Sequence, residues 1–244
     1  MKKIVFLLPH QDDEIGVFEI IRRVKEKKSI IIIYLTKDIL NKRNNESKKV
    51  LKRFQISERQ IIFLGDKLNV EDQKIIDNLN KIYSNLLKIL KNVKDFELFT
   101  PTWEGGHHDH DATFIIGTKL KYKMKVFHKH FPLYSKRNSI FFNLLNPNKY
   151  AFNNFDVRFL KINFITGLKF FLNTFQYKSQ YKTFFFLWPF LFLSYLIVRK
   201  QFIITNKKFK LTPPGKKKLW YEIRYNFKFS YFKKKTINFL GNKN

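Results

Sequence analysis

Short apolar runs alternate with amphipathic segments along the first half of the chain, and this alternation restricts the possible folds more than any other feature. Runs rich in β-branched and aromatic residues predict five buried strands, at residues 3–8, 30–35, 60–64, 96–100 and 124–127. The intervening segments predict helices, at residues 14–27, 44–54, 70–93 and 112–121. Strands that alternate with helices form a mostly parallel sheet joined by right-handed crossovers. We therefore predict an α/β, Rossmann-like fold with helices flanking the sheet.

Two loops at predicted strand ends hold most of the side chains that can carry chemistry. Residues 9–14 (PHQDDE) follow the first strand, and residues 104–111 (EGGHHDHD) follow the fourth. Four of the six histidines lie in these two loops. In open α/β sheets the functional site lies beyond the carboxyl ends of the strands, which is where both loops are expected. The sequence therefore predicts a single site built from both loops.

The residue types in these loops suit a hydrolytic metal site, which needs about three protein ligands, an open position for water and a nearby base. His10 and Asp13 can supply two ligands from one turn. Asp12 is adjacent to Asp13, so the two carboxylates should point in different directions, which leaves one free to accept a proton. His107 and His110 are three residues apart, so one can be the third ligand and the other can face the reacting carbonyl. Imidazole and carboxylate ligands without a thiolate favour zinc, with Fe²⁺ or another divalent ion as the alternative.

Each loop also has an interpretation that involves no metal. Residues 12–14 can cap the helix that follows and complement its dipole. Residues 107–111 can form a polar surface loop after the tight turn that Gly105 and Gly106 predict. Because both loops fall at the same edge of the predicted sheet, the metal site is the interpretation that accounts for them together.

The two loops also resemble the motifs of a known enzyme family. Residues 9–14 are similar to the (A/P)-H-x-D-D-E signature of the PIG-L/LmbE-like N-deacetylases, zinc enzymes that remove acetyl groups from N-acetylglucosaminyl substrates. Residues 104–112 are similar to that family's second motif, H-P-D-H followed by a small residue. Arg43-x-x-Glu46 and residues 177–180 (YKSQ) match smaller family segments. The resemblance is strong over residues 1–130 and patchy from there to residue 180.

The resemblance implies a role for each matching residue. It makes three residues the zinc ligands: His10, Asp13 and His110. Asp12 would be the general base on the attacking water, and His107 would stabilise the oxyanion or protonate the leaving amine. Asp109 would orient a histidine by hydrogen bonding. The implied enzyme is a zinc-dependent N-deacetylase, and the implied substrate is an acetamido sugar, either soluble or lipid-linked. Cell-envelope glycan or glycolipid metabolism is the context that we expect for it.

The sequence departs from the family pattern in two places. His108 stands where the family has proline, which adds a third histidine to the motif and a competing candidate for the metal. Thr36-Lys37-Asp38 stands where the family has Thr-x-Gly, so we expect the loop after the second strand to shape the pocket differently.

Three further positions allow more than one interpretation or lie outside the motifs. Trp103 precedes the second motif and can either stack on a sugar ring or lie in the core. Residues 177–180 are either a plain helix surface or, by resemblance, part of the pocket. His128 and His130 follow the fifth predicted strand, and we expect them to be partly exposed.

Positive charge is concentrated in the second half of the chain. Of the formal net charge of +29, residues 1–111 contribute +4, and residues 112–244 contribute +25 with only two acids, Asp156 and Glu222. Phe is skewed in the same direction, with six of the 29 before residue 112. We therefore predict a catalytic core at residues 1–132 and a basic, aromatic C-terminal extension at residues 133–244 that completes the domain. The codon bias of an AT-rich genome can account for part of the Lys excess.

Residues 184–198 (FFFLWPFLFLSYLIV) are the longest apolar run, and they contain Pro189. A spanning helix needs about 20 apolar residues, so this run can be a core segment, an interfacial membrane element or a short span. The apolar run near the amino end, residues 4–8, is too short for a signal peptide. We expect a cytoplasmic protein, with a peripheral position at the inner face of the membrane as the alternative and an anionic membrane surface as a candidate partner.

Two other functions compete with deacetylation. The charge and the aromatic content suit a nucleic-acid-binding protein. However, Lys outnumbers Arg 39 to 9 and no RNP, KH or zinc-finger pattern occurs, so we do not expect nucleic acid as a partner. The other alternative is a catalytically altered family member that acts as a basic membrane- or nucleic-acid-binding module. No feature of the sequence predicts an oligomeric state.

Overall fold

A seven-stranded sheet forms the centre of the computed structural model, which describes residues 2–136, 142–147, 155–206, 211–213 and 218–241. The strands are β1 (Lys3–Leu8), β2 (Ile30–Tyr34), β3 (Ile61–Phe63), β4 (Phe96–Pro101), β5 (Phe127–Phe131), β6 (Tyr134–Lys136), β7 (Phe142–Leu144), β8 (Phe155–Lys161) and β9 (Lys200–Asn206). The sheet has the order β3-β2-β1-β4-β5-β9-β8, and β6 pairs with β7 separately. β1 to β5 are parallel, and β9 is antiparallel to β5 and β8. The predicted α/β fold with a mostly parallel sheet is confirmed.

Helices flank this sheet and close two apolar cores. The helices are α1 (Phe18–Arg23), α2 (Lys42–Arg53), α3 (Leu64–Leu68), α4 (Leu79–Leu90), α5 (His108–Met124), α6 (Phe164–Asn173), α7 (Tyr181–Phe192), α8 (Trp220–Arg224) and α9 (Phe229–Leu240). Phe6 and Leu8 of β1 pack into one core, and Val5 and Leu7 pack into the other. Because both faces of the strand are buried, its sequence is continuously apolar rather than alternating.

Several predicted elements differ from the observed ones in extent. The predicted helix at residues 70–93 is a loop, a 3-10 turn (Ile75–Asn78) and then α4. α5 begins four residues before the predicted helix. The sequence does not reveal this start, because the first residues of α5 are buried on all sides and therefore show no amphipathic period. α5 also continues through Met124, and Lys125 ends it in the left-handed conformation with a φ of 54°. The fifth strand therefore begins at Phe127 rather than at residue 124.

The expectation that His128 and His130 are partly exposed is wrong. Because β5 begins later than predicted, both residues lie within the strand, where they are 6% and 0% exposed. Thr100 Oγ1 lies 2.8 Å from His128 Nε2. Gly117 of α5 makes room for this ring, since a Cβ at that position would lie 2.5 Å from His128 Nε2. Burial lowers the pKa of His130 to about 3.

The C-terminal half adds strands and helices to the same architecture. β9 extends the sheet beyond β5, and β8 forms the next edge. Phe232 and Phe239 of α9 are buried in the same core as Leu120 of α5. On the other side of the sheet, Phe170 of α6 packs against Phe18 at a centroid distance of 5.5 Å. The boundary at residue 132 stays a prediction.

One helical stretch has the length and composition of a membrane span. Lys178–Val198 has 21 residues, and its most apolar 18-residue window has a mean hydropathy of 1.5 and is 28% buried. It comprises a 3-10 turn, α7 and a π-helical turn (Leu193–Val198). The core helix of a soluble protein can meet the same criteria, so length and composition do not separate the three interpretations of residues 184–198.

Gly65 is required where α3 packs against the loop that follows β2. A Cβ at this position would lie 2.1 Å from the carbonyl carbon of Thr36, and the Thr36 N–H in turn donates to Pro9 O at 3.0 Å. We expect Gly65→Ala to lower the free energy of unfolding by about 1–3 kcal/mol, because the backbone at Thr36 must shift. Urea denaturation measures this, with Asn80→Ala on the exposed side of α4 as the control. An unchanged midpoint in Gly65→Ala would contradict the close approach.

Candidate active site

The two loops meet in a crevice between the carboxyl ends of β1 and β4. β1 lies between β2 and β4 in the sheet, so the chain turns to opposite sides of β1 at this point. This is the switch point at which doubly wound sheets form their sites. A cavity of about 150 Å³ opens there, and five residues of the two loops line it: His10, Asp12, Asp13, His107 and His110.

Asp12 and Asp13 point in different directions because of the backbone at Asp12. Its φ is 129°, a conformation that residues other than glycine rarely adopt. Asp13 begins a 3-10 turn (Asp13–Val17), and Asp12 makes no side-chain capping bond to it. The capping interpretation therefore does not describe Asp12. Strained backbone of this kind is concentrated at functional sites.

Three buried side chains beside the cavity can hold a metal ion. One donor atom each from His10, Asp13 and His110 lies within 4.8 Å of the others. Asp13 Oδ1 is 3.4 Å from His110 Nε2, and Asp13 Oδ2 is 3.3 Å from His10 Nδ1. Among the described residues, neither ring nitrogen of His110 has a hydrogen-bond partner. Since a buried imidazole that makes no hydrogen bond is unfavourable, both the donor set and this ring fit a divalent cation.

The electrostatic environment of this group also favours a cation. Burial alone would raise the pKa of Asp13, but His110 and His10 hold that pKa well below its usual range. Burial would lower the pKa of His10, but Asp72, Asp109 and Asp13 raise it well above its usual value. Where the protein stabilises a protonated imidazole beside carboxylates, a divalent cation can replace the proton.

A second group, His10, His107 and Asp109, has donor atoms equally close together, but two of its members are already engaged. Asp109 accepts backbone hydrogen bonds from Gln73 N at 2.6 Å and from Ile75 N at 3.2 Å. His107 Nδ1 accepts from Asp109 N at 3.1 Å. A neutral imidazole that accepts at Nδ1 carries its proton on Nε2, so His107 has no free lone pair for a metal. The first group is therefore the better candidate.

The histidine that Asp109 contacts is His10. Asp109 Oδ2 lies 3.1 Å from His10 Nε2, and the two backbone bonds fix the carboxylate in place. Carboxylates in this position set the ring orientation and the tautomer of a metal-binding histidine. Asp109 itself does not line the cavity.

His107 is a neutral donor at the wall of the cavity. Burial lowers its pKa well below the usual value, and the neighbouring His10 and His110 lower it further. Its Nδ1 caps the first turn of α5, which fixes the ring. The remaining N–H, on Nε2, is therefore available as a hydrogen-bond donor.

Asp12 lies beside Arg43, and its carboxylate is not one of the donors of the candidate metal group. Its Oδ1 is 3.9 Å from Arg43 Nη2, and Arg43 Nη1 donates to Asp72 Oδ2 at 2.7 Å. Burial raises the pKa of Asp12 well above its usual value; Arg43 opposes this effect and the neighbouring Asp13 adds to it. Asp12 is therefore a cavity carboxyl with an increased tendency to hold a proton.

His108 and Trp103 lie away from the cavity. The His108 ring stacks on Phe227 at a centroid distance of 4.2 Å, and its Nε2 lies 3.2 Å from Gln73 O. Trp103 is 0% exposed and donates from Nε1 to Thr212 O at 3.0 Å. His108 therefore does not compete for the metal group, and Trp103 has the core position rather than the sugar-stacking one.

Residues 177–180 connect the cavity to two other parts of the fold. Gln180 lines the cavity. Tyr177 OH donates to Glu14 Oε1 at 2.9 Å, which ties the segment to the first loop. Ser179 donates to Glu46 from its backbone N and its Oγ, at 2.8 and 2.6 Å. The segment is therefore more than a plain helix surface.

The motifs give no indication of several side chains that line the cavity from later parts of the chain. Tyr134 of β6 places its ring 4.8 Å from that of His110, and Arg224 and Tyr225 approach from the end of α8. Glu104 holds the Tyr134 segment, since its Oε1 accepts from the Tyr134 N–H at 2.9 Å. Burial raises the pKa of Glu104 to about 8. The acidic residue directly before Gly105-Gly106 is the one sequence signal that could have indicated this hydrogen bond between Glu104 and the Tyr134 segment.

Comparison with known proteins finds a match to one family model. Residues 5–120 match the family model of PIG-L, described as GlcNAc-PI de-N-acetylase. This match covers both motif loops, and it confirms the resemblance to the PIG-L/LmbE-like family that the motifs indicate. No curated protein sequence matches the chain.

Several solved structures share the fold at low sequence identity. The conserved protein TT1542 from Thermus thermophilus is 15% identical, with a TM-score of 0.56 over 89% of this chain and 100% of its own. The N,N'-diacetylchitobiose deacetylase from Pyrococcus horikoshii is 16% identical, with a TM-score of 0.52 over 87% of this chain and 84% of its own. The zinc-inhibited form of teicoplanin deacetylase Orf2 is 12% identical, with a TM-score of 0.53 over 73% of this chain and 85% of its own. At these identities the likeness concerns the fold.

Proposed function

We propose, from the match of residues 5–120 to the PIG-L family model together with the geometry of the site, that the chain is a metal-dependent hydrolase that removes an acetyl group from an N-acetylated sugar conjugate. One observation carries the proposal. The same cavity is lined by a group of side chains that can hold a metal and by two further polar side chains that do not belong to that group, Asp12 and His107. Hydrolysis of an amide needs activation of the carbonyl, a base for the water and a donor for the oxyanion.

The proposed metal is zinc, with Fe²⁺ as the alternative. Its proposed ligands are His10, Asp13 and His110, a combination of imidazole and carboxylate donors that suits zinc. When bound, the cation supplies Lewis acidity, which polarises the acetamide carbonyl and lowers the pKa of the attacking water. Asp109 holds the His10 ring in position through the 3.1 Å contact to Nε2.

Asp12 is the proposed general base. It lines the cavity, and its raised pKa brings it closer to the neutral range in which proton transfer is most effective. It accepts a proton from the attacking water and returns that proton to the leaving amine. Arg43 stays beside it and limits how far the pKa rises.

His107 is the proposed oxyanion donor. Because its Nδ1 accepts the Asp109 N–H, its Nε2–H is the group that can hydrogen-bond the developing negative charge. A neutral histidine makes a poor source of the amine's proton, which leaves that role to Asp12. Of the two roles that the family resemblance leaves open for His107, this is the one we propose.

The substrate that we propose is an N-acetylglucosaminyl-type conjugate of a cell-envelope glycan or glycolipid. Tyr134 and Tyr225 give the cavity aromatic faces that suit a sugar ring, and Arg224 and Gln180 give it polar groups. Two structurally similar proteins are named as deacetylases, one of N,N'-diacetylchitobiose and one of teicoplanin.

Acetate release from a panel of acetamido sugars tests the proposal. The full chain, loaded in turn with Zn²⁺, Fe²⁺, Co²⁺ or Mn²⁺, is expected to deacetylate at least one N-acetylglucosamine conjugate in a panel of free, oligomeric and lipid-linked forms. Chelation should abolish the release and metal should restore it, because the carbonyl is no longer polarised without the cation. A well-folded, metal-loaded chain that releases no acetate from any member would contradict the proposed activity.

A further inference from the structure

One side of the fold carries most of the exposed apolar side chains. Among the described residues, twelve of the 19 exposed large hydrophobic side chains lie between residues 164 and 198, in α6, α7 and the segments beside them. The largest exposures there are those of Phe186, Ile165 and Ile197, at 74%, 68% and 62%. Single exposed apolar residues are ordinary on a soluble protein, but a contiguous patch marks an interaction surface.

Ring contacts join many of these side chains into one surface. Phe192 of α7 contacts Phe171 of α6 at 5.7 Å, and Phe175 contacts Trp188 of α7 at 4.5 Å. Along α7 the contacts continue from Trp188 to Tyr181 at 5.6 Å. The aromatic surface, as we call it, consists of Phe171, Phe175, Tyr181, Phe185, Phe186, Trp188 and Phe192.

α7 separates the aromatic surface from the candidate active site. One face of α7, together with the residue just before the helix, lines the cavity. The lining residues are spaced at i, i+3, i+4 and i+7: Gln180, Thr183, Phe184 and Leu187. Phe185 and Phe186 project from the other side and are 56% and 74% exposed. Since a helix is roughly 10 Å across, the cavity lies about one helix diameter from the aromatic surface.

The charged side chains on the helices of the aromatic surface and on the segments beside them are all positive. One carboxylate from another helix, Glu46 of α2, reaches this region and accepts hydrogen bonds from Ser179. Six exposed cationic side chains lie on or beside the helices of the aromatic surface: Lys161, Lys169, Lys178, Lys182, Arg199 and Lys200. No acidic residue occurs anywhere between Asp156 and Glu222, so this part of the chain supplies no carboxylate to neutralise them. An apolar surface with a cationic border complements a layer that is apolar inside and anionic at its surface.

We propose that the chain docks peripherally on an anionic phospholipid bilayer through the aromatic surface. The exposed rings enter the headgroup and acyl boundary, and the lysines around them contact anionic headgroups. In a cell this corresponds to the inner face of the cytoplasmic membrane. A second copy of the chain is less suited to the same surface, because two such borders would bring like charges together.

The contacts of the helix favour a position in the plane of the membrane rather than across it. Leu191 is 0% exposed, and Tyr195 OH donates to Ile15 O at 2.6 Å. Ser194 Oγ donates to Leu144 O at 2.7 Å. Insertion across a bilayer would break these contacts and expose the apolar wall of the cavity. Docking through the exposed face alone keeps all of them.

This arrangement bears on the substrate, and that consequence rests on the proposed function. With the cavity about one helix diameter from the aromatic surface, a sugar carried on a membrane lipid can reach the site without leaving the bilayer. We expect vesicles that contain a lipid-linked acetamido sugar to be better substrates than the same sugar free in solution.

Flotation of the full chain with vesicles measures the docking directly. We expect the protein to float with vesicles of phosphatidylcholine and phosphatidylglycerol, and to bind roughly tenfold or more weakly to phosphatidylcholine alone. High salt should weaken the binding, because part of it is electrostatic. Asp12→Asn should float like the parent chain, so a failure of the proposed catalysis leaves this result intact.

A matched pair of double variants locates the docking surface. Phe185→Gln with Phe186→Gln should weaken binding to anionic vesicles by roughly tenfold or more. Tyr122→Gln with Phe127→Gln removes two similarly exposed aromatic side chains elsewhere on the fold, at 70% and 69%, and should bind like the parent. All four side chains are exposed, so we expect both variants to fold.

A second matched pair tests the cationic border. Lys178→Gln with Lys182→Gln should weaken binding by roughly fivefold for each lysine removed. Lys91→Gln with Lys123→Gln lowers the net charge by the same amount at exposed positions outside the border and should have a much smaller effect.

Three results would overturn the proposal. The first is a parent chain that stays in the unbound fraction with anionic vesicles. The second is an equal loss of binding in the two aromatic pairs or in the two lysine pairs, which would mean that no particular surface docks. The third is a parent chain that does not bind vesicles but forms a concentration-dependent dimer, where Phe185→Gln with Phe186→Gln dissociates the dimer. This result would assign the aromatic surface to a second copy of the chain.

Discussion

Asp12→Asn is expected to lower kcat for acetate release by roughly 10³-fold, which is within the range for removal of a general base. The substitution keeps the size of the side chain and removes the carboxylate that accepts a proton from water. Because the Asp12 carboxylate is not among the donors of the group of His10, Asp13 and His110, metal content should be unchanged. Rates and metal content measured on the same preparation separate these two effects.

The environment of Asp12 explains why it is expected to act as the base although it is adjacent to Asp13. Asp13 is paired with two histidines, and its pKa is held well below the usual range. Asp12 is turned away by the backbone at φ 129°, and burial raises its pKa well above the usual value. One carboxyl therefore stays ionised as a ligand, while the other can gain and lose a proton.

The control for this prediction is Asp77→Asn. Asp77 lies outside the cavity and pairs with Lys235 at 3.0 Å, so its substitution removes one carboxylate without touching the site. It should retain the activity of the parent chain. Full turnover by metal-loaded Asp12→Asn would refute the assignment of Asp12 as the base.

The fold and the main residues of the site could be predicted because two local signals agree. The apolar runs of the parallel strands are buried on both faces, so their continuous hydrophobicity reveals them in the sequence. The loops at residues 9–14 and 104–111 follow two of those strands, and strands adjacent in the sheet bring their ends together. Neither signal depends on contacts between distant segments.

The positions that could not be predicted depend on such contacts. The burial of His128 and His130 depends on where α5 ends, and α5 shows no amphipathic period because most of its residues are buried. Tyr134 and Arg224 reach the cavity from segments whose sequence shows no motif. The sequence allows Trp103 either a core position or a sugar-stacking position. The core position follows from the packing of α9, which places Phe232 against Trp103 at a centroid distance of 5.5 Å.

Asp13→Asn is expected to weaken metal binding by more than about 100-fold, which exceeds the typical cost of losing a residue that only supports a ligand. It should also remove most of the thermal stabilisation that added metal gives the parent chain, since a cation stabilises the fold only to the extent that it binds. Asparagine keeps the size of the side chain and an acceptor oxygen for the His10 N–H, which Asp13 now accepts at 2.8 Å. Titration with Zn²⁺ and thermal unfolding with and without the metal measure the two effects.

Two matched variants decide between the two groups that could hold the metal. Asp109→Asn removes a residue that orients His10, so we expect metal affinity to fall by roughly 10- to 100-fold. His107→Ala should bind metal within a few-fold of the parent chain and lose activity, because the Nδ1 of His107 is occupied by the Asp109 N–H. The reverse order, with strong binding in Asp13→Asn and none in His107→Ala, would move the metal to the group of His10, His107 and Asp109. The tautomer argument is what separates these outcomes: a histidine that caps its own helix through Nδ1 can donate to an oxyanion from Nε2, and it cannot bind a cation there at the same time.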